Sequence, residues 1–143
     1  MSLFCLYAIF VQAQFPTNYD LRINNYVSPV KDQGLVCGSC WAFATCASLE
    51  SAYMKQGNPV IDLSEDNLTD CHAFDEGPCE GGSFYMAQAL LSMHSGILTE
   101  NQDAYSPNTG DCPFCGMFPP TPALHVEEVR FIPGNVNDIK QAL

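Results

Sequence analysis

Polar and apolar positions along the chain sort into a few helical segments, a strand and a long irregular stretch. From Ser39 to Lys55 the chain is built of small and good helix-forming residues, with Gly57 just beyond. This predicts a helix capped by the Ser39 side chain and ended by Gly57, with Cys40 in its first turn. A short second helix is expected after Ser64 in "LSEDNLTDC", where Glu65 and Asp66 suit the positive end of the dipole. A third begins at Ser83 and runs through "FYMAQALLSMH" to Gly96. Residues Asn101 to Pro122 are rich in Pro, Gly, Asn and Asp and read as loop. A strand is predicted from Leu124 to Ile132, although Glu127 and Glu128 disturb its alternation. At the end, "NVNDIKQAL" starts as a helix capped by Asn135 or Asn137, with Ile139, Ala142 and Leu143 as an apolar stripe. A helix that short is marginal alone, so the segment is expected to open a domain that this chain leaves incomplete.

The first thirteen residues, "MSLFCLYAIFVQA", are apolar from Leu3 to Val11 and end in Val11-Gln12-Ala13. That pattern reads as a short secretory signal, and it is far below the roughly 20 residues of a membrane span. The expected organisation is a leader over residues 1–13 and one incomplete domain over 14–143. An apolar content of 47% is sufficient for a core, which excludes a disordered chain. Five Lys and Arg against sixteen Asp and Glu give a net charge of -11. No basic stripe is left for a phosphate backbone, so nucleic acid is not an expected partner.

Cysteine usage sharpens the chemistry. There are eight: Cys5, Cys37, Cys40, Cys46, Cys71, Cys79, Cys112 and Cys115. Removal of Cys5 with the leader leaves an odd number, hence a free thiol in an exported chain. Cys46, on an apolar helix, reads as a small buried hydrophobe. The cluster "QGLVCGSCW", Gln33 to Trp41, admits several readings. A thiol in the first turn of a helix faces the positive end of the macrodipole, which favours the thiolate a nucleophile needs, and Cys40 has that position. Cys37, in the loop before it, is better placed to anchor the loop, and Gly38 between them permits a tight approach. The same pair could be a redox CxxC motif, although "SPVKDQGLV" before it is loop-like where thioredoxin chemistry wants a strand. A tetrathiolate zinc site from "CGSC" and "CPFC" is a further alternative, but the pairs lie far apart against about 15 to 20 residues in compact ribbons.

"SPVKDQG" followed by "CGSCWAFA" resembles the entry to the catalytic helix of papain-like cysteine peptidases. Further motifs follow in the family's order: "FPTNYDLR" is similar to its mature N-terminus, "LSEDNLTDC" to its "LSEQ...DC" segment, "CEGGSFYMAQAL" to its "CxGG" turn and helix, and "AYSP" to its "YPY" region. In flavour these stretches look closest to exported prokaryotic members. The resemblance implies an α+β papain-like fold, here the mainly helical lobe plus the first elements of the β-rich lobe. It implies cysteine-type peptidase activity on peptide or protein substrates, with no cofactor and no metal. Matched position by position, Cys40 would be the nucleophile and Gln33 the side-chain oxyanion donor. Trp41 would pack beside the site. Gly81 and Gly82 would offer backbone to an extended peptide, and Ser83 and Phe84 would line the pocket for the second residue upstream of the cut. The resemblance also implies disulfides Cys37–Cys79 and Cys71–Cys112. Cys115 stays unassigned and could pair with Cys112 instead.

The chain departs from the family in two places. One extra residue, Leu35 or Val36, lies between Gln33 and the first cysteine of the motif, which bears on the reach of Gln33. A papain-like nucleophile also needs a histidine about 130 to 150 residues downstream and an asparagine beyond it. The chain stops at Leu143, well short of that, and His72, His94 and His125 match no catalytic position. His94 is expected as a helix C-terminal partner, His72 in a loop and His125 on a strand. The expectation is therefore a peptidase half that is inactive alone and is completed by a complementary C-terminal half. A non-catalytic binding module is the alternative. Disulfides and leader together imply a secreted or otherwise extracytoplasmic location.

Overall fold

The computed structural model describes residues 15–93, 96–107, 112 and 121–142. The leader reading, His94 and Cys115 fall outside these residues. Of the described residues, those within 20–130 form one compact unit, and 15–19 with 131–142 belong to another.

The first unit is organised by α1 (Cys40–Lys55), which packs against both α2 (Glu65–Asp70) and α3 (Phe84–Ser92). Its core joins Trp41, Ala42 and Cys46 of α1 to Leu63, Leu68, Met86, Ala87, Leu90 and Ile97. Cys46 is fully buried there, and its thiol donates to the Ser64 carbonyl. Burial pushes that thiol well above its ordinary pKa, so it behaves as the small hydrophobe expected.

Helix ends follow local chemistry. Lys55 lies in the last turn of α1, and Gly57 just beyond takes a left-handed φ of 87° and donates to the Met54 carbonyl. Ser64 caps α2 by accepting the Asn67 amide at 2.9 Å. α3 begins at Phe84, with Ser83 in extended geometry before it, and ends at Ser92, short of the expected Gly96. Gly96 instead carries a φ of 77°, where the chain turns so that Ile97 can pair with Leu124.

The strand expected from Leu124 to Ile132 is not formed. It is reduced to an isolated bridge in which Ile97 donates to Leu124 at 3.0 Å and Ala123 donates to Ile97 at 2.8 Å. Glu127 and Glu128 point to solvent, and Glu128 folds back onto Arg130, so nothing sustains a ladder past the first pair. His125 accordingly sits on exposed irregular chain, not on a strand. A second bridge, Leu63 with Thr99, ties the segment after Gly96 to the entry of α2.

In the other unit, α4 (Val136–Ala142) is capped by Asn135, whose side-chain oxygen accepts the Asp138 amide at 3.0 Å. None of its residues is buried, and Ile139 stays 44% exposed, so the expected apolar stripe is uncovered at Ile139 and Ala142, while Leu143 lies outside the described residues.

One ion cluster holds the first unit together. The Lys31 ammonium lies 3.0 Å from Glu50 on α1, 2.9 Å from Glu65 on α2 and 2.7 Å from Asp62, and it also donates to the Leu63 carbonyl at 2.8 Å. Glu50 and Glu65 are 1% exposed, and Glu50 additionally accepts the Leu63 amide at 2.9 Å. Removing the cation strands two buried carboxylates, which typically costs several kcal/mol. Lys31→Met is expected to lower stability at pH 7 by about 3 kcal/mol or more in urea unfolding. A loss below about 1 kcal/mol, the scale of an exposed pair, would show that the cluster does not organise the fold.

Candidate active site

Cys40 is the first residue of α1, exposed and unpaired. Cys37 is bonded to Cys79, so the cysteines of "CGSC" do not form a local redox bridge. Cys71 is bonded to Cys112, and with Cys37 and Cys112 in bridges the tetrathiolate zinc set is not available.

The approach to Cys40 is built by close backbone packing. Gly38 donates to the Cys79 carbonyl at 3.0 Å, and a Cβ at position 38 would lie 2.8 Å from that oxygen and 2.9 Å from the Gly81 nitrogen. The tight approach read from the sequence is thus a contact of two backbones, sealed by the adjoining disulfide. On the far side, a Cβ at Gly82 would fall 2.5 Å from the Trp41 indole. Gly82 therefore lies flat against Trp41, itself 7% exposed, and the Gly81–Gly82 backbone forms a shelf between the Gly38 contact and that indole. Phe84 and Tyr85 follow it, half or more exposed, with ring centroids 4.0 Å apart.

Ser39 occupies the cap position of α1, but its side chain makes no capping bond to the helix, in contrast to the sequence expectation. Its hydroxyl lies 2.6 Å from the Tyr105 hydroxyl, which donates in turn to the Gln33 carbonyl at 3.1 Å. A distant, half-buried hydroxyl partner has displaced local capping. The Gln33 amide nitrogen donates to the Cys37 carbonyl at 3.0 Å, an orientation that keeps the side chain on the cysteine side of the loop. The additional residue is absorbed between them as an outward bulge, where Leu35 is fully exposed and Val36 is 66% exposed.

Neither described histidine is hydrogen-bonded to Cys40. His72 lies in the loop after α2, as expected, with its ring 6.4 Å from Trp41 and 5.2 Å from Phe74. Its Nδ1 accepts the Phe74 amide, and burial lowers its pKa, so it is a neutral packing residue whose available lone pair is already used. Sequence reasoning passed over two residues that shape this region. Lys31 was hidden by its loop setting, though a chain with five basic residues has few with which to neutralise buried acids. Tyr105 was seen only as part of a motif, without a role.

With the site in view, the comparisons define the class. The family model described as "Papain family cysteine protease" matches residues 15–143, and the chain belongs to that family. It is 46% identical over 98 residues to the viral cathepsin of Choristoneura fumiferana nuclear polyhedrosis virus, covering 68% of this chain and 29% of that protein. It is 43% identical over 99 residues to the viral cathepsin of Heliothis zea nuclear polyhedrosis virus, covering 69% and 26%. These relatives are viral, a different source from the prokaryotic flavour read from the motifs. Among solved structures it resembles a recombinant stem bromelain precursor, with a TM-score of 0.57 and 32% identity over 64% of this chain and 30% of that one. The chain thus spans less than a third of the length of the relatives it matches. The papain-like fold expected from the motifs is the fold observed, mainly helical with few strand pairings.

Acidic groups gather behind Tyr105. Asp66, 4% exposed, accepts the Ser106 amide at 3.0 Å, and Glu100 accepts the Tyr105 amide at 2.8 Å. Burial pushes the Asp66 carboxyl up to about 6, opposed by the Ser106 amide and reinforced by Asp70, Asp103 and Glu100. Burial also raises Asp103 and Glu65. A carboxyl raised from 3.8 in the unfolded chain contributes stability that is complete below that value and is lost as pH rises through about 6. The melting temperature is therefore expected to be higher at pH 5 than at pH 7, and Asp66→Asn, which keeps an acceptor for Ser106, should flatten the difference. Equal slopes in both proteins would remove Asp66 as its source. Separately, Gly38→Ala should cost roughly 1–3 kcal/mol, the range of overpacking, because backbone faces the new methyl on both sides. A melting temperature unchanged from wild type would contradict the close approach.

Proposed function

We propose that this chain carries the nucleophile half of a cysteine peptidase site and attacks peptide carbonyls through Cys40. The observation that carries the reading is an exposed free thiol at the start of α1, directly after a loop in which the Gln33 amide is held on the Cys37 carbonyl and Gly38 packs against the Gly81 backbone. The Cys40 thiolate adds to the carbonyl carbon, and the oxygen takes the developing charge. The backbone N–H of Cys40 and the Gln33 side chain donate to it; a donor of this kind typically contributes about 3 kcal/mol. An extended peptide pairs with the Gly82 backbone, while Ser83 and Phe84 meet the second residue upstream of the cut.

General-base help and protonation of the leaving amine need an imidazole, and neither His72 nor His125 supplies one at Cys40. In this reading a complementary polypeptide segment brings the histidine and asparagine. The 143 residues by themselves then bind and react once without efficient turnover, which also accommodates a role as a peptide-binding module. The two disulfides support residence in an oxidising, extracytoplasmic compartment.

Iodoacetamide followed by peptide mapping is expected to modify Cys40 and to spare buried Cys46. Hydrolysis of unstructured peptide substrates by the purified chain should stay near background, since base catalysis typically supplies about 10²- to 10⁴-fold. Turnover abolished by Cys40→Ala would overturn the need for a second segment. Failure of Cys40 to react at all would overturn its assignment as nucleophile.

A further inference from the structure

We infer that Tyr105 is a positioning residue for the oxyanion donor, holding Gln33 in place across the lengthened loop. This rests on the peptidase reading of Cys40 and Gln33. The phenol has a single proton, and the Gln33 carbonyl can only accept, so that proton is committed at 3.1 Å to Gln33. The bond to Ser39, at 2.6 Å, must then run from the Ser39 hydroxyl to the Tyr105 oxygen. The result is a one-way relay from the buried cap of the nucleophile helix, through Tyr105, to the backbone of the donor residue.

Three features make this a support and not an incidental surface bond. Ser39 is fully buried and sits immediately before Cys40, so the relay references Gln33 to the residue next to the nucleophile. The Tyr105 ring packs edge-on against Phe43 at 4.9 Å, and its amide is held by Glu100, with Ser106 held by Asp66. Both the tip and the root of the side chain are therefore fixed. Finally, the loop it serves has its later end pinned by the Cys37–Cys79 disulfide and the Gly38 amide, while Leu35 and Val36 project into solvent and touch little. Gly34, with a φ of 73°, donates to Asp32, which turns the chain outward at that point. Without Tyr105, the Gln33 backbone would rest on the Lys31 cluster two residues earlier and on its own side chain at Cys37, the group that has to stay aimed at the substrate oxygen.

The test uses the full chain and two probes of Cys40. Iodoacetamide reports on the thiol and requires no oxyanion donor. A short N-acylated peptide aldehyde adds the thiol to its carbonyl, and the oxygen of the resulting hemithioacetal occupies the donor site. Tyr105→Phe keeps the ring and removes the hydroxyl. Its Cys40 iodoacetamide rate should stay within about twofold of wild type while aldehyde affinity falls about tenfold, the scale of a misplaced catalytic contact. Gln33→Ala should show a loss of aldehyde affinity, and the double variant little more than Gln33→Ala alone, because Tyr105 acts through Gln33. Ser39→Ala breaks the same relay from its other end and carries the test if Tyr105→Phe does not fold. Wild-type affinity in the variant, additive losses in the double variant, or a parallel fall with both probes would each overturn the role of Tyr105 and leave the peptidase reading standing. No capture of the aldehyde by the wild-type chain would overturn both.

Discussion

A single ammonium group sets the geometry on which everything else depends. Lys31 reaches Glu50 in the third turn of α1 and Glu65 at the start of α2, with Asp62 and the Leu63 carbonyl closing the ring. Buried carboxylates on facing helices repel one another and resist desolvation, so the two helices can meet here only with a cation between them. Once they meet, Leu63 and Ser64 are positioned to pair with Thr99 and Leu98. That pairing delivers the following segment, and with it Tyr105, to the start of α1. The path from Lys31 to the cap of α1 thus runs through backbone pairing at residues 63–64 and 98–99 and ends on the Tyr105 hydroxyl.

Around Cys40 the organising device is different, and it works by omission of side chains. Gly38 and Gly82 have no Cβ because backbone and indole occupy the places where one would go. Rigidity comes from the Cys37–Cys79 bond, which fastens the loop before α1 to the turn that ends in the Gly81–Gly82 shelf. The bulge at Leu35 and Val36 takes up the additional residue, and both ends of the loop keep their attachments.

Much of this was legible in the sequence, and the reasons for the rest are physical. The start of α1 at Cys40, the end at Gly57, the short helix after Ser64, the burial of Cys46 and both disulfides follow from residue chemistry or from the motifs around them. The misses share a cause, which is tertiary competition for a local preference. Ser39 has the chemistry of a cap, but a tyrosine sixty-six positions away claims its hydroxyl. Leu124 to Ile132 has strand-like composition, but among the described residues only Ile97 presents a partner, and Glu127 and Glu128 stay in water. His72 looked like an unremarkable loop residue, and its neutrality follows only from the Phe74 amide and the burial around it. Lys31 gave no periodic signal, since its partners lie in separate elements.

The indole beneath Gly82 has one more consequence. Trp41 is the sole tryptophan of the chain, so the intrinsic ultraviolet emission of the protein originates largely from one spot, the floor of the shelf. The His72 ring, 6.4 Å from the indole, shares that spot. The molecule therefore carries a built-in optical reporter at the junction between α1 and the Gly81–Gly82 turn.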